Sequence, residues 1–472
     1  MQWLFYHNQS RNNAFHWDLE TKAIQNAITL HPIKNPKYMY RLHSHFFMKK
    51  IQALQHRSLV KASLLRQLKQ LTKENPGAVE LTKLKEVKDL RLTIPSNATV
   101  HWEIFSPRTL YTIATWAPTR AIQTSIRQSL NIVLRESLAL INQDSRKVLF
   151  RELILSKVNF GYVRVAPRQG VQYLLDLRMI SYHHIGFSRR KLPLNVHYEA
   201  NMQRSFGSLV YSSSSVPTRS KPFVHIVLPL AGRLKAFAAF FSNFEKVVLA
   251  NNEKVKVLIM YFPDVSSYSN HEKIVRIYKD SYPNLEVICK FINGPFSRGL
   301  ALQLGLTYFG PRALYFFCDV DLVFDVEFLD RCREHSVLGK RVYYPMVFSQ
   351  FNQSLGNFDG STSHLHGDRG FWRRYGFGIV CVYGEDVSAV GGFDTTIKGW
   401  GLEDVRLFEN FLSNGRYDVI RAPDPGLIHT HHKSVCSSDL APGQLKMCED
   451  SRMSQLASSR SLMDHMTRKG YL

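Results

Sequence analysis

The chain of 472 residues is short of several things, and each absence excludes something. It has no run of about 18 apolar residues, the length a helix needs to span a bilayer. Its start, Met1-Gln2-Trp3-Leu4-Phe5-Tyr6-His7, has neither the charged head nor the apolar stretch of a secretory leader. Read literally, the sequence carries no transmembrane segment and no export signal. It contains no GxxxxGK(S/T) loop, no GxSxG elbow and no HExxH pair, so P-loop nucleotide hydrolysis, serine-hydrolase chemistry and zinc proteolysis lose their signatures. No internal repeat is present. Acidic residues are scarce: 38 Asp and Glu stand against 61 Lys and Arg, a formal charge of +23. That field draws in polyanions such as nucleic acid, anionic membrane or acidic polysaccharide. No RRM, zinc-finger or helix-turn-helix signature accompanies it, so the charge alone makes no nucleic-acid partner.

What is present is a foldable chain. Hydrophobic residues make up 44% and aromatics 12%, with 30 Phe and 21 Tyr, which excludes disorder over most of the length. At roughly 150 residues per domain, two or three units are expected. Residues 1–110 read as a basic helical connector, with near-helical apolar spacing around Phe46–Leu71. Residues 111–215 read as a mixed α/β accessory region: an amphipathic helix over 120–145, then a short strand and a basic loop across 158–200. The serine run Ser212–Ser215, followed by Pro217 and Pro222, reads as a linker.

From 216 to 472 the pattern changes. The apolar runs 223–230, 255–262, 287–292 and 313–320 are strand-length, and helical patterns such as Leu234–Ala250 and Ser297–Phe309 lie between them. Strands apolar on both faces that alternate with helices predict a mostly parallel sheet flanked by helices. Ligands meet such sheets beyond the carboxyl ends of the strands.

The fourth run ends in Cys318-Asp319-Val320-Asp321. A buried carboxylate costs several kcal/mol unless it is paired, so two together call for a cation, and hard oxygen ligands suit Mn²⁺ or Mg²⁺ bridging to a diphosphate. The plainer alternative is helix capping near Asp325. Gly399-Trp400-Gly401-Leu402-Glu403-Asp404 opens a helix. Its indole offers a flat face for a sugar ring and its acids a general base, against a reading as caps with a core Trp. His429, His431 and His432 follow an apolar strand as candidates to complete a metal shell. Arg233, after Pro229-Leu230-Ala231-Gly232, and Arg298, after Phe296-Ser297, are candidates for phosphate contacts. Cys436 and Cys448 lie in a polar tail at a spacing that suits a small disulfide, free thiols being the alternative; no second CxxC pair supports zinc. Sequons at Asn8, Asn97 and Asn352 fit a secretory lumen.

The ordered set PLAGR, PFSRG, FFCDVDLVF, GFWRRYGFG, GGFD, GWGLEDVRLF and PGLIHTHHKSVC resembles the chondroitin synthase and chondroitin N-acetylgalactosaminyltransferase family, and more distantly the β-1,4-galactosyltransferases. Upstream, residues 31–45 and 161–177 resemble the segment joining the two catalytic domains of bifunctional chondroitin synthases. The resemblance implies a GT-A glycosyltransferase fold and inverting transfer of N-acetylgalactosamine from UDP-GalNAc to a terminal glucuronate of chondroitin. It assigns Asp321 and His432 to Mn²⁺, with His429 completing the family's His-x-x-His, and Asp319 to the nucleotide. It makes Asp404 the base, Glu403 a holder of acceptor or donor sugar, Trp400 the sugar platform, and Arg233 and Arg298 nucleotide contacts. Gly299 stands where relatives usually carry Ala. The implied setting is the Golgi lumen behind a type II signal-anchor. The anchor and the glucuronate-transferring first domain of the bifunctional relatives are not visible in this sequence, so no glucuronosyl transfer is expected of it. A non-catalytic role beside a full-length synthase or polymerising factor is the alternative function.

Overall fold

The computed structural model describes residues 5–7, 29–31, 41–49, 51, 52, 54–56, 60, 63, 101–114, 117–149, 152–166, 170–184, 191–204, 209–215, 221–262, 268–352, 354, 364–397, 401–433, 436, 438 and 440–469. The chain divides into compact units at Met1–Ile94 and Pro95–Leu472. In the first, Phe5–His7 pairs in parallel with Thr29–His31, and residues 41–49 are helical, beginning ahead of the helical stretch expected from Phe46 and overlapping its start.

The second unit holds two sheets. The larger is built from β1 (Val224–Leu230), β2 (Val255–Tyr261), β3 (Val287–Phe291), β4 (Leu314–Phe317), β5 (Leu322–Phe324), β6 (Arg341–Gln350), β7 (Gly370–Trp372), β8 (Val380–Tyr383) and β9 (Asp418–His429). Its order is β3-β2-β1-β4-β8-β6-β9-β5, with β7 on β6. The first four strands pair in parallel, as the alternation predicts. The other half is mixed: β8 runs antiparallel to β4 and β6, while β9 is parallel to β6 and antiparallel to β5. The helices are α1 (Leu234–Phe244), α2 (Tyr268–Ser281), α3 (Arg298–Leu306), α4 (Val326–His335), α5 (Gly384–Ala389), α6 (Glu403–Asn414), α7 (Pro442–Ser454) and α8 (Ser459–Arg468). A π-helical turn, Glu245–Leu249, prolongs α1.

Alternation along the strands divides the core. Ile226, Leu228, Val257, Ile259, Leu314 and Phe316 face one layer with α1 and α4. Val227, Leu258, Met260, Tyr315 and Phe317 face the other with α3 and α6. Both layers are apolar, which is why the strands read as unbroken hydrophobic runs. On the second face α3 lies so near β1 that a Cβ on Gly305 would stand 2.6 Å from Val227 Cγ1, so only glycine permits the approach.

The smaller sheet has seven strands: Glu103–Phe105, Thr109–Tyr111, Thr119–Ala121, Leu153–Ala166, Gly170–His184, Lys191–Arg204 and Leu209–Ser215. The expected helix appears as Thr124–Leu149, packed on one face of that sheet. Two expectations are corrected. The basic segment expected as a loop within 158–200 is, from Lys191, a strand, because Val196, Tyr198, Ala200 and Met202 alternate toward the helix while the polar residues Asn195, His197, Glu199, Asn201 and Gln203 occupy the other positions. Ser212–Ser215 is no linker but the end of an edge strand paired with 199–204.

The opposite face of this sheet shares a core with the larger one through Ile104, Tyr162 and Leu174. Tyr162 Oη lies 2.9 Å from His335 Nε2, and Arg341 bonds Glu199 at 2.5 Å. His197 bridges Asp176 on one ring nitrogen and Glu334 on the other. Carboxylates on opposite ring nitrogens suit an imidazolium better than a shared metal ion. Arg331 and Asp424, both buried, form a bidentate pair that ties α4 to β9. Two disulfides close the fold: Cys332–Cys381, which joins α4 to β8, and Cys436–Cys448 in the tail.

Candidate active site

β4 stops at Phe317, and its ladder with β1 runs one residue further, where the Cys318 N–H donates to the Val227 carbonyl at 3.2 Å. The chain then turns through Asp319 and Asp321 into β5. Both carboxylates thus leave the carboxyl end of a buried strand. β5 pairs with the end of β9, Leu322 opposite His429. Thr430 closes the junction, its N–H and its hydroxyl each donating to the Asp321 carbonyl at 2.9 Å.

That pairing brings the histidines onto Asp321, which is 6% exposed. Its Oδ2 lies 2.8 Å from His432 Nε2, and its Oδ1 3.7 Å from His429 Nε2. One ligand atom from each of Asp321, His429 and His432 falls within 4.8 Å of the others; His431 is not in this group. Burial works against the Asp321 charge, but the bond with His432 and the positive field of His429, His432 and Arg233 outweigh it and hold the carboxyl below its ordinary range. Burial lowers His429 to about 3, leaving a neutral imidazole. Asp321 Oδ1 and His429 Nδ1 are buried without hydrogen-bond partners. An orphaned carboxylate oxygen facing a neutral imidazole fits a divalent cation.

Arg233 meets the same group. It is the N-cap of α1 with a left-handed backbone, φ 57°, and its guanidinium bonds Asp321 Oδ2 at 2.5 Å and lies 3.1 Å from His432 Nδ1. The positive charge that Asp321 requires is supplied here by a side chain 44% exposed.

A second line of contacts begins at α3. Ser297 caps that helix by accepting from the Leu300 N–H, and so Arg298 stands in its first turn. Arg298 Nε donates to Asp319 at 2.8 Å, one terminal nitrogen donates to the Gly378 carbonyl at 2.7 Å, and the other lies 3.6 Å from Glu403 Oε1. Glu403 is 4% exposed. Burial, then the neighbouring Asp404, raises its carboxyl to about 7. Glu403 and Asp404 open α6 after a turn in which Gly401 and Leu402 both have positive φ, 84° and 77°. A left-handed leucine is strained, and such strain gathers where side chains are aimed at a function. The N-cap residue, Leu402, supplies no side-chain bond, and Asp404 Oδ1 instead accepts from the first-turn Val405 N–H at 2.9 Å, so part of the expected capping role is present. A Cβ on Gly299 would lie 3.3 Å from Glu403 Cβ, so the Gly-for-Ala departure leaves slack beside Glu403. The sugar-platform role expected of Trp400 lies outside the described residues.

Two arginines escaped the sequence reading. Arg421, 2% exposed, donates to the carbonyls of Tyr344, Pro345, Arg373, Arg374 and Gly376 and stacks on Phe377. Burial lowers it to about 9. It holds the segment that carries Arg373 and leads to Gly378, the acceptor for Arg298. The only signal was the pair Arg373-Arg374 inside GFWRRYGFG, which does not say which arginine turns inward.

The sequence profile of the chondroitin N-acetylgalactosaminyltransferase family matches residues 1–462. The chain is 34% identical over 520 aligned residues to chondroitin sulfate synthase 3 of Homo sapiens, an alignment that covers 98% of this chain and 57% of that protein. It is 32% identical to chondroitin sulfate N-acetylgalactosaminyltransferase 2 of Homo sapiens, over 73% of this chain and 64% of that one. The chain thus spans a little over half the length of the curated relatives it matches. Among solved structures it is similar to the catalytic domain of Drosophila β1,4-galactosyltransferase 7 bound to xylobiose, with 13% identity, 48% of this chain and 79% of that chain covered, and a TM-score of 0.30. A likeness that low carries no argument about function. With the profile matched nearly end to end and the Asp-x-Asp turn at the carboxyl edge of the α/β sheet, the chain belongs to the chondroitin N-acetylgalactosaminyltransferase family.

Proposed function

We propose that the chain is an inverting β-1,4-N-acetylgalactosaminyltransferase that moves N-acetylgalactosamine from UDP-GalNAc to the 4-hydroxyl of a terminal glucuronate on chondroitin, in the Golgi lumen. The observation that carries this reading is the meeting of Asp321, His429 and His432 at the same sheet end as the Asp319–Arg298–Glu403 line. The names of the relatives support the substrate class, and the disulfides fit an oxidising lumen.

Asp321, His429 and His432 would hold Mn²⁺, which supplies Lewis acidity toward a diphosphate when bound. Asp404 takes the proton of the acceptor hydroxyl as its oxygen bonds to the anomeric carbon. The bond from that carbon to UDP breaks, and its electron pair leaves with the diphosphate. Arg298 and Asp319 orient the nucleotide, and Arg233, once off Asp321, turns to its phosphates. Glu403 and Trp400 hold sugar. The charge of +23 attracts the polyanionic acceptor, so transfer should weaken with salt.

The test is incorporation of labelled N-acetylgalactosamine from UDP-GalNAc into a glucuronate-ended chondroitin oligosaccharide by the purified chain, with Asp321→Ala and a chelator as controls. Transfer that both controls abolish supports the reading. Equal transfer by wild type and variant overturns the site. Co-purification with a full-length synthase, without transfer by the chain alone, assigns it instead the part of a non-catalytic subunit.

A further inference from the structure

Arg373 follows β7, whose Trp372 is anchored by its indole N–H on the Pro118 carbonyl at 3.0 Å and packs edge-on against Phe348. The backbone of Arg373 is held from both sides: its N–H donates to the Val347 carbonyl at 2.9 Å, and its own carbonyl accepts from Arg421 at 3.1 Å. Its Nε donates to Ser349 Oγ at 2.9 Å, and Nη1 reaches Ser451 Oγ at 3.5 Å. The remaining nitrogen, Nη2, is buried and donates to nothing.

Ser349, which accepts from the Arg373 Nε, lies opposite His429 in the β6–β9 ladder, so the guanidinium stands beside the candidate site, in the field of Asp321, Asp319 and Asp404. Arg373 therefore stands among the carboxylates of the candidate site, paired with none of them among the described residues. Burial lowers its pKa despite those charges. A half-buried cation without a counter-ion is costly, and here the surrounding bonds hold it rigidly in place. A donor so fixed, with one N–H group left over beside a cation site, suits an anion that arrives with a substrate.

We propose that Arg373 is the oxyanion receptor of this site, its free Nη2 group donating to an anionic oxygen of a bound substrate, either a phosphate of the sugar nucleotide or the carboxylate of a glucuronate acceptor. Arg421 is its positioning residue. The proposal rests on the glycosyl-transfer reading above.

The experiment measures UDP and uridine affinity by calorimetry with Mn²⁺ present, and the KM for an acceptor ending in glucuronate against its methyl ester. Wild type, Arg373→Met and the charge-retaining Arg373→Lys are compared, and melting curves verify their folding. A hydrogen bond to a charged group contributes about 1.5–3 kcal/mol, so loss of about 10- to 100-fold is expected on whichever anion Arg373 holds. If UDP weakens by that factor while uridine does not, the oxygen is phosphate. If UDP is unchanged while the acid acceptor's KM rises and its advantage over the ester disappears, the oxygen is carboxylate. Arg373→Lys, expected to fold and to restore part of the loss, carries the test should Arg373→Met not fold. Wild-type values for UDP and both acceptors in the folded variants overturn the proposal. A wild-type chain that neither binds UDP nor transfers overturns the glycosyl-transfer reading instead.

Discussion

His432 Nε2 lies 2.8 Å from the Asp321 carboxylate, although every element from β5 to β9, with α4, α5 and α6, separates the two in the chain. The antiparallel pairing of β5 with β9 makes the contact, and the double Thr430 bond fixes its register. Because Arg233 occupies the same carboxylate oxygen, a cation held by Asp321 would compete with the arginine for it.

Asp321→Ala and His432→Ala are each expected to weaken Mn²⁺ binding by about 100-fold or more, a loss at least as large as that for outer-shell partners. Arg233→Met should tighten Mn²⁺ in the absence of nucleotide while weakening UDP. Calorimetric titration with the metal alone checks both. Unchanged metal affinity in Asp321→Ala would remove this carboxylate from the site.

Glu403 sets a pH dependence of stability. Its folded pKa is raised, from 4.5 to about 7, because the fold favours the neutral form. The stability it contributes is complete below about pH 4.5 and is lost as pH rises through about 7. Glu403→Gln, permanently neutral, should flatten the melting temperature across that window. An unaltered slope in the variant would show that Glu403 is ionised throughout.

The Cys436–Cys448 bridge closes a 12-residue loop just beyond His432. By chain entropy it is worth about 3 kcal/mol to the tail. In Cys448→Ser, Mn²⁺ affinity should fall while the Cys332–Cys381 bridge, which spans 49 residues, keeps the sheet folded. Metal binding in the variant equal to wild type would separate the staple from the site.

Asp424 is fully buried between Arg331 and the Tyr343 hydroxyl. Asp424→Ala strands a buried guanidinium and should cost about 3–5 kcal/mol. Denaturant unfolding measures it, and a loss below about 1 kcal/mol would mean that Arg331 finds another partner.

Much of this molecule is legible in one dimension. Runs of apolar residues on both faces fall only where strands are covered on both sides, so β1 to β4 and the strand end that carries Asp319 and Asp321 follow from local chemistry. The same pattern hides other features. In 191–204 the alternation of apolar and polar residues forms a strand, although the flanking basic residues Arg189, Arg190 and Lys191 read as a loop. The choice of His429 and His432 over His431, the inward turn of Arg373 rather than Arg374, and the Cys332–Cys381 pairing depend on strand register and on helices laid across the sheet. Hydrophobic periodicity is a property of neighbours along the chain and determined the elements. Which polar groups share a buried space depends on partners far apart in sequence, and only the packed sheet decided that.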